Sequence, residues 1–325
     1  MVNSGIKDVA VLTYHKYRSL MDHLGSGDEW DLDRKRGGLF ILPSVLDEPK
    51  EHARGDLFQL YCQRDYLYRG KQEYVMISRS HMVCNIDLNE VMDFHMQTEA
   101  DITMVYKEMD QPTDSKFRRV AIREDGSVSV IEDQLGSLRG NKVSMEIYLI
   151  KKDLLLDMVE TSLGQGYDHF VRDAIMKNIH NLKIFGYQYK GYLGIINTVQ
   201  SYYNHSMNLL NADVWKDLFY SKGLIYTKIK DEPPARYAAH AEVHNSLIAN
   251  GCIIEGKVEN CILFRGVRID KGVHVKNSII MQNCIVQENS SLENAILDKD
   301  VIVNKDRSVK GEKLAPFIIA KNRTI

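Results

Sequence analysis

The sequence predicts an α/β domain followed by a parallel β-helix, and three observations carry that prediction. Short apolar runs alternate with amphipathic stretches up to about Leu210, aliphatic residues recur every six positions after Pro234, and Pro233-Pro234 marks the change. Strands alternating with helices define an α/β sheet. A six-residue period fits neither a helix at 3.6 nor an isolated strand at 2. It fits coils whose sides each place one aliphatic residue inward.

In the first part, Asp8–Thr13 and Glu73–Ser78 read as buried parallel strands. Asp87 opens a helix, with Glu90 placed to complete a capping box and Leu88, Val91, Met92 and His95 on one face. Ile102–Lys107 is a further strand. Val120–Arg123 and Ser127–Ile131 flank Asp125-Gly126, a hairpin turn. Ser144–Ile150 leads into a helix capped by Asp153, with Leu154, Leu155, Met158, Val159 and Leu163 inward.

In the second part Asn-x-apolar-apolar recurs from Asn245, Asn260, Asn277, Asn283 and Asn294. Val267, Val273, Ile279 and Ile285 form one six-residue register, and Leu263, Ile269 and Val275 another. Val267, Ile285 and Val303 suggest coils of 18 residues. Gly251, Gly256, Gly266 and Gly272 fall at corners, where positive φ favours glycine. The expected boundaries are 1–211 for the α/β domain, 212–234 for a linker and 235–325 for the β-helix.

Composition limits the function. The 325 residues carry 42 basic and 44 acidic side chains, a net charge of −2 that argues against a polyanion binder on bulk electrostatics. The five cysteines are odd in number and no pair is spaced C-x-x-C, so a disulfide framework or zinc site is not expected. There is no secretory signal pattern, and no apolar run approaches the roughly 20 residues that span a bilayer. A soluble, cytoplasmic chain is the expectation.

The order of landmarks adds more. Asn3-Ser4-Gly5-Ile6, Arg54-Gly55, Glu73–Asn85, Ile131-Glu132, Ser144–Tyr148, Phe170–Asp173, Gly191–Tyr202 and Pro233–Arg236 resemble, in sequence order, those of bacterial glucose-1-phosphate adenylyltransferases. The likeness extends over essentially the whole chain and is strongest to the GlgD-type branch, the non-classical partner of the catalytic GlgC-type subunit. It implies a Rossmann-like, GT-A-like nucleotidyltransferase mixed sheet and a left-handed β-helix of hexapeptide repeats. It also implies a sheet incomplete at its N-terminus, because the sequence starts after the family's first strand and Gly-rich nucleotide loop.

Family members join glucose 1-phosphate to ATP with magnesium held by two aspartates. The matching positions are Ser80 and Ile195, and neither supplies a carboxylate. Glu132, Ser144, Tyr148 and Phe170 match sugar-phosphate positions, but the lysine expected after the glutamate is Asp133. A unit-charge pair at 4 Å is worth about 4 kcal/mol at an effective dielectric of 20, so this reversal weakens phosphate binding. His169 stands for an aspartate, and Asp56–Gln59 put bulk where a base would lie.

The resemblance thus implies a catalytically impaired regulatory subunit with no cofactor of its own, joined to a GlgC-type partner, as a tetramer in the family. An active adenylyltransferase with substitute ligands, or a hexapeptide-repeat acyltransferase, are the alternatives. The remaining features read as structural or solvated. Asp173 is a cap or ion-pair partner, His81 a packing residue, and His240, His244 and His274 solvated on coil faces. Arg34-Lys35-Arg36 is a solvated charge run, the tyrosines of 187–203 pack the fold, and Arg54-Gly55-Asp56 is no adhesion signal.

Overall fold

A computed structural model describes residues 1–14, 17–44, 55–109, 117–132, 140–227 and 230–325. The chain forms two compact units, residues 1–193 with 222–228 and residues 194–221 with 229–325.

The first unit begins with β1 (Asp8–Thr13), α1 (Arg18–Leu24), β2 (Gly38–Pro43), α2 (Asp56–Cys62) and α3 (Arg64–Arg69). β3 (Tyr74–Ser78), β4 (Met82–Val83), α4 (Leu88–Thr98) and β5 (Ile102–Glu108) follow. Next come β6 (Arg119–Ile122), β7 (Val128–Glu132), β8 (Lys142–Lys151), α5 (Lys152–Gly164) and β9 (Ile184–Gln188). One sheet has six strands in the order β7-β6-β8-β5-β9, with β3 also on β8. It is mixed: β5 and β9 are parallel, while β3, β5 and β6 run antiparallel to β8.

β8 anchors the unit. Its interior residues from Val143 to Ile150 are all buried, as expected of a strand covered on both faces. Ile102, Met104, Tyr148 and Ile150 pack with Leu155, Met158 and Val159 of α5 and with Ala174 and Ile175. The helical spacing of Leu155, Met158, Val159 and Ser162 puts that face of α5 inside.

Four local expectations are corrected. β1 is parallel as expected, pairing with β2 from Asp8 opposite Gly38 to Thr13 opposite Pro43, but it forms a two-stranded sheet of its own in which only Thr13 of the strand is buried. β3 is antiparallel to β8 rather than parallel to a neighbour. Asp87 caps α4 through the Asn89 N–H, but Glu90 leaves the cap to accept from the Tyr187 hydroxyl at 2.7 Å and from Lys222 at 2.5 Å. A cation and a phenol outcompete one backbone N–H for that carboxylate. Asp153 lies in the first turn of α5 but makes no cap bond.

The second unit contains β10 (Gly194–Ile195), α6 (Val199–Asn208), α7 (Ala212–Tyr220) and the β-helix. Part of the stretch expected as linker is therefore helical. Thr198 and Ser201 close a reciprocal capping box at the start of α6. Tyr203 lies on a flat β-helix face with Ile279 and Ile296, and its hydroxyl donates to the Asn277 carbonyl at 2.6 Å.

Three five-stranded parallel sheets form the sides of the left-handed β-helix. Val258, Val275, Leu292 and Val309 stack in one inward column, Leu263, Ile280 and Leu297 in a second, and Ile269, Val286 and Val303 in a third. Successive members are 17 residues apart, not 18, because the side from Val258 to Leu263 has five residues and the other two have six. The register containing Ile279 and Ile285 therefore slips outward: Ile279 meets Tyr203, and Ile285 is half-buried beside the inward Val286.

The corners explain the asparagine recurrence. Asn245, Asn260, Asn277 and Asn294 occupy one corner column with φ from 42° to 51°. Gly251, Gly266, Asn283 and Asp300 occupy the second, and Gly272, Asn289 and Asp306 the third, all at positive φ. Asparagine tolerates this region because its short amide bonds locally. Here the amides also bond along the column, Asn245 Nδ2 to Asn260 Oδ1 at 2.7 Å and Asn260 Nδ2 to Asn277 Oδ1 at 3.3 Å. Gly256 is the exception among the four predicted corner glycines. It lacks positive φ, and a Cβ there would come within 2.5 Å of the Val273 carbonyl.

Candidate functional site

The unusual chemistry of the first unit lies on β8. Val105 of β5 opposes Ile147, whereas the next residue, Tyr106, opposes Ser144, so Met145 and Glu146 form a bulge without partners on β5. Bulges re-aim side chains and recur beside active sites. Glu146 takes φ 51°, and the residue is 8% exposed. On the other edge of β8 the pairing changes hands at this point. The Arg79 N–H, just after β3, donates to the Glu146 carbonyl at 3.3 Å, and the Ser144 N–H donates to the Arg118 carbonyl at 2.9 Å.

Both arginines thereby converge on one carboxylate. Arg118 Nη1 lies 2.8 Å from Glu146 Oε1, and Arg79 Nε lies 2.5 Å from Glu146 Oε2. Arg79 Nη2 also reaches Asp56 Oδ2 at 3.0 Å. Asp56 Oδ1 in turn accepts the Phe170 N–H at 2.8 Å. Gly55 permits that approach, since a Cβ there would sit 2.1 Å from the Asp168 carbonyl.

Hydroxyls border the network. Ser144 Oγ accepts the Glu146 N–H at 3.1 Å and lies 3.4 Å from the Tyr148 hydroxyl. Burial pushes the Tyr148 phenol above its ordinary pKa. The Tyr148 ring meets Phe170 edge to face at 6.2 Å. His81 titrates below the usual histidine range, chiefly through burial, with the Glu146 charge opposing and the Arg79 charge assisting. Asp173 holds the segment before Phe170 in place: its Oδ2 accepts the N–H groups of Asp168 at 3.3 Å and His169 at 3.0 Å.

The structure brings three of the four expected sugar-phosphate residues together. Ser144, Tyr148 and Phe170 share this neighbourhood, each at most 3% exposed. Glu132 ends β7 opposite Arg119, half-buried. Asp133 and Arg54 lie outside the described residues. Ser80 is exposed in the turn between β3 and β4. Ile195 belongs to the second unit, 3% exposed, with its N–H donating to His205 Nε2 at 3.1 Å.

A magnesium ion does not fit the residues at the two matched positions. One offers a lone hydroxyl, and the other a buried hydrocarbon. Among the described residues no three His, Cys, Asp or Glu side chains gather as a metal site.

Sequence reasoning missed Arg79, Arg118 and Glu146 as a unit. The available signal was an acid inside the otherwise apolar Met145–Ile150 run. On the β-helix, His240, His244 and His274 are exposed, and His274 Nε2 contacts Glu259 Oε2 at 2.6 Å. Arg34, Lys35 and Arg36 are exposed apart from the Arg34–Asp31 ion pair. Among the described residues no helix is long and apolar enough to cross a membrane.

A mixed sheet flanked by helices, followed by a hexapeptide β-helix, defines a nucleotidyltransferase-type protein. Family models agree: "Nucleotidyl transferase" matches residues 1–218 and "GlmU-like, C-terminal hexapeptide" residues 233–314. Similar proteins include "Glycogen biosynthesis protein GlgD" of Bacillus subtilis, 39% identical over 84% of this chain and 69% of the relative. Its namesake in Geobacillus stearothermophilus is 41% identical over 84% and 70%. "Glucose-1-phosphate adenylyltransferase" of Bacillus subtilis is 30% identical over 83% and 72%. The chain belongs to the family of bacterial glucose-1-phosphate adenylyltransferases and GlgD-type proteins.

Proposed function

We propose that this chain is a glycogen-biosynthesis subunit of the GlgD type, a catalytically impaired regulatory partner of a GlgC-type catalytic subunit in cytoplasmic ADP-glucose synthesis. One feature supports the reading: by the resemblance in landmark order, Ser80 and Ile195 match the two positions where family members hold magnesium, while the cores of both units are intact. Phosphoryl-type transfer depends on neutralising developing charge, and a hydroxyl with an isoleucine provides none of that. The higher identity to GlgD relatives than to the adenylyltransferase of the same species points the same way.

Such a chain acts through its neighbour. A regulatory subunit raises its partner's rate only if it binds the active conformation better than the inactive one. The catalytic subunit then supplies magnesium, ATP and glucose 1-phosphate sites, and this chain supplies assembly contacts within a heterotetramer. Co-expression with a GlgC-type subunit, followed by sizing and a pyrophosphate-release assay, tests this. Co-elution with a rate above that of the catalytic subunit alone is expected. Separate elution with an unchanged rate would remove the reading.

A further inference from the structure

We propose that a cleft at the start of β9 is a binding site for a small organic phosphate, a phosphate monoester carried on an apolar body. The cleft has a volume of about 400 Å³ and gathers residues from three places in the chain. Arg123 follows β6, His180 sits in the turn after Asn178, and Lys183 directly precedes β9. All three line the cleft and are exposed, while half-buried Ile179, Leu182 and Phe185 give it an apolar wall.

The topology explains why they meet. β5 and β9 run in parallel from Ile102 opposite Ile184. The β6–β7 hairpin folds back until Ser127 bridges Phe185 and the Gly186 N–H donates to the Gly126 carbonyl at 3.0 Å. The hairpin turn thereby carries Arg123 to the beginning of β9. Ser144 lies toward the other end of the sheet, opposite Tyr106 of β5. From Ile102 to Tyr106 the strand rises about 13 Å, so the cleft lies away from Ser144, Tyr148 and Phe170.

Electrostatics select the ligand. Among the described residues no carboxylate comes within ion-pair distance of Arg123, His180 or Lys183. Asp101 and Asp125 are committed to their turns instead. Asp101 Oδ2 accepts the Lys183 N–H at 2.8 Å, and Asp125 Oδ1 accepts the Ser127 N–H at 2.9 Å and its hydroxyl at 2.6 Å. Arg123 Nη1 donates to Ser127 Oγ at 3.0 Å, which orients a guanidinium that has further donors to offer. Two permanent cations and an imidazole suit the nearly dianionic charge of a phosphate monoester, and the apolar wall suits its organic part.

The inference stands apart from the proposed subunit role, because its readout is ligand binding by this chain alone. The probe is phenyl phosphate, titrated at constant ionic strength into wild type and the double variant Arg123→Gln/Lys183→Gln, with inorganic phosphate titrated beside it. Wild type is expected to bind phenyl phosphate saturably and more tightly than inorganic phosphate. The double variant is expected to bind it at least about tenfold more weakly, since two unit charges are lost at the site. Both replaced side chains are exposed, so the fold is expected to persist. A second readout needs no substitution: phenyl phosphate should slow acetylation of Lys183 in the folded chain, read by peptide mass spectrometry, but not that of exposed Lys299 on the β-helix. Binding that the double variant retains, Lys183 labelling unchanged by the ligand, or no saturable binding up to about 10 mM would each overturn the proposal. Equal affinity for phenyl phosphate and inorganic phosphate would overturn the assignment of an apolar body.

Discussion

Asp173 Oδ2 accepts the backbone N–H of His169 at 3.0 Å, and the same carboxylate pairs with Arg172 at 3.1 Å and Lys177 at 3.6 Å. It thereby fixes the turn that delivers the Phe170 N–H to Asp56. Asp173→Ala is expected to destabilise the first unit by about 1–3 kcal/mol, through the loss of part-buried hydrogen bonds to an ionised carboxylate. Urea unfolding followed by intrinsic fluorescence reads that loss.

The same residue predicts a pH dependence. The Arg172 guanidinium, followed by the two backbone N–H groups, holds the Asp173 carboxyl far below the ordinary carboxylate range, against the opposing effect of burial. A depressed folded-state pKa stabilises the fold above the unfolded value, about 3.9, and this contribution fades as pH falls below it. Wild type should therefore lose more stability between pH 4 and pH 2 than Asp173→Asn, as chemical denaturation at about those pH values would show.

Asn277 lies at a left-handed corner with φ 47°, takes part in the amide column and accepts the Tyr203 hydroxyl at its carbonyl. Replacement by glycine keeps the backbone and loses one part-buried amide bond of 3.3 Å. Replacement by valine adds a β-branched side chain to a conformation costing about 1–2 kcal/mol for any L-residue with a Cβ. Thermal unfolding should rank wild type and Asn277→Gly close together and Asn277→Val clearly below them. Equal midpoints for the glycine and valine variants would contradict the corner account.

The resemblance matches Ile195 to a metal-aspartate position of the family, and in this structure the residue is 3% exposed. Ile195→Asp is therefore expected to bury an unpaired charge and to cost several kcal/mol, about 3–5 when a buried charge lacks its partner. Even combined with Ser80→Asp and Asp133→Lys, it is not expected to create turnover. Magnesium-dependent pyrophosphate release by the triple variant would refute this.

The buried thiols of the β-helix should be inert in the native state. Burial pushes Cys261 up to about 12 and Cys84 and Cys284 up to about 11. Thiolate is the reactive form, so alkylation near neutral pH, read by peptide mass spectrometry, should modify half-buried Cys62 ahead of Cys261 and Cys284. Fast labelling of Cys261 in the folded protein would contradict the packing of the β-helix core.

Local pattern carried much of this fold into view. Asp8–Thr13 is a strand with the expected bounds, and the hairpin around Asp125-Gly126 forms as its turn chemistry requires. The β-helix was legible because corner asparagines and inward aliphatics repeat. Its coil length was misjudged because two aliphatic neighbours, such as Ile285 and Val286, satisfy either register. The pairing partners of β1 and β3 were beyond reach, since strand order is a long-range property that local apolar runs do not encode. The Arg79–Glu146–Arg118 cluster was hidden for a related reason. Its members are far apart in sequence, and only the bulge on β8 turns the glutamate toward both arginines.

The central claim is that this chain does not perform the family's reaction by itself. The direct measurement is pyrophosphate release by the purified chain alone, with magnesium, ATP and glucose 1-phosphate. The account predicts a rate indistinguishable from the protein-free control. Sustained, magnesium-dependent release that scales with the concentration of this chain would contradict it.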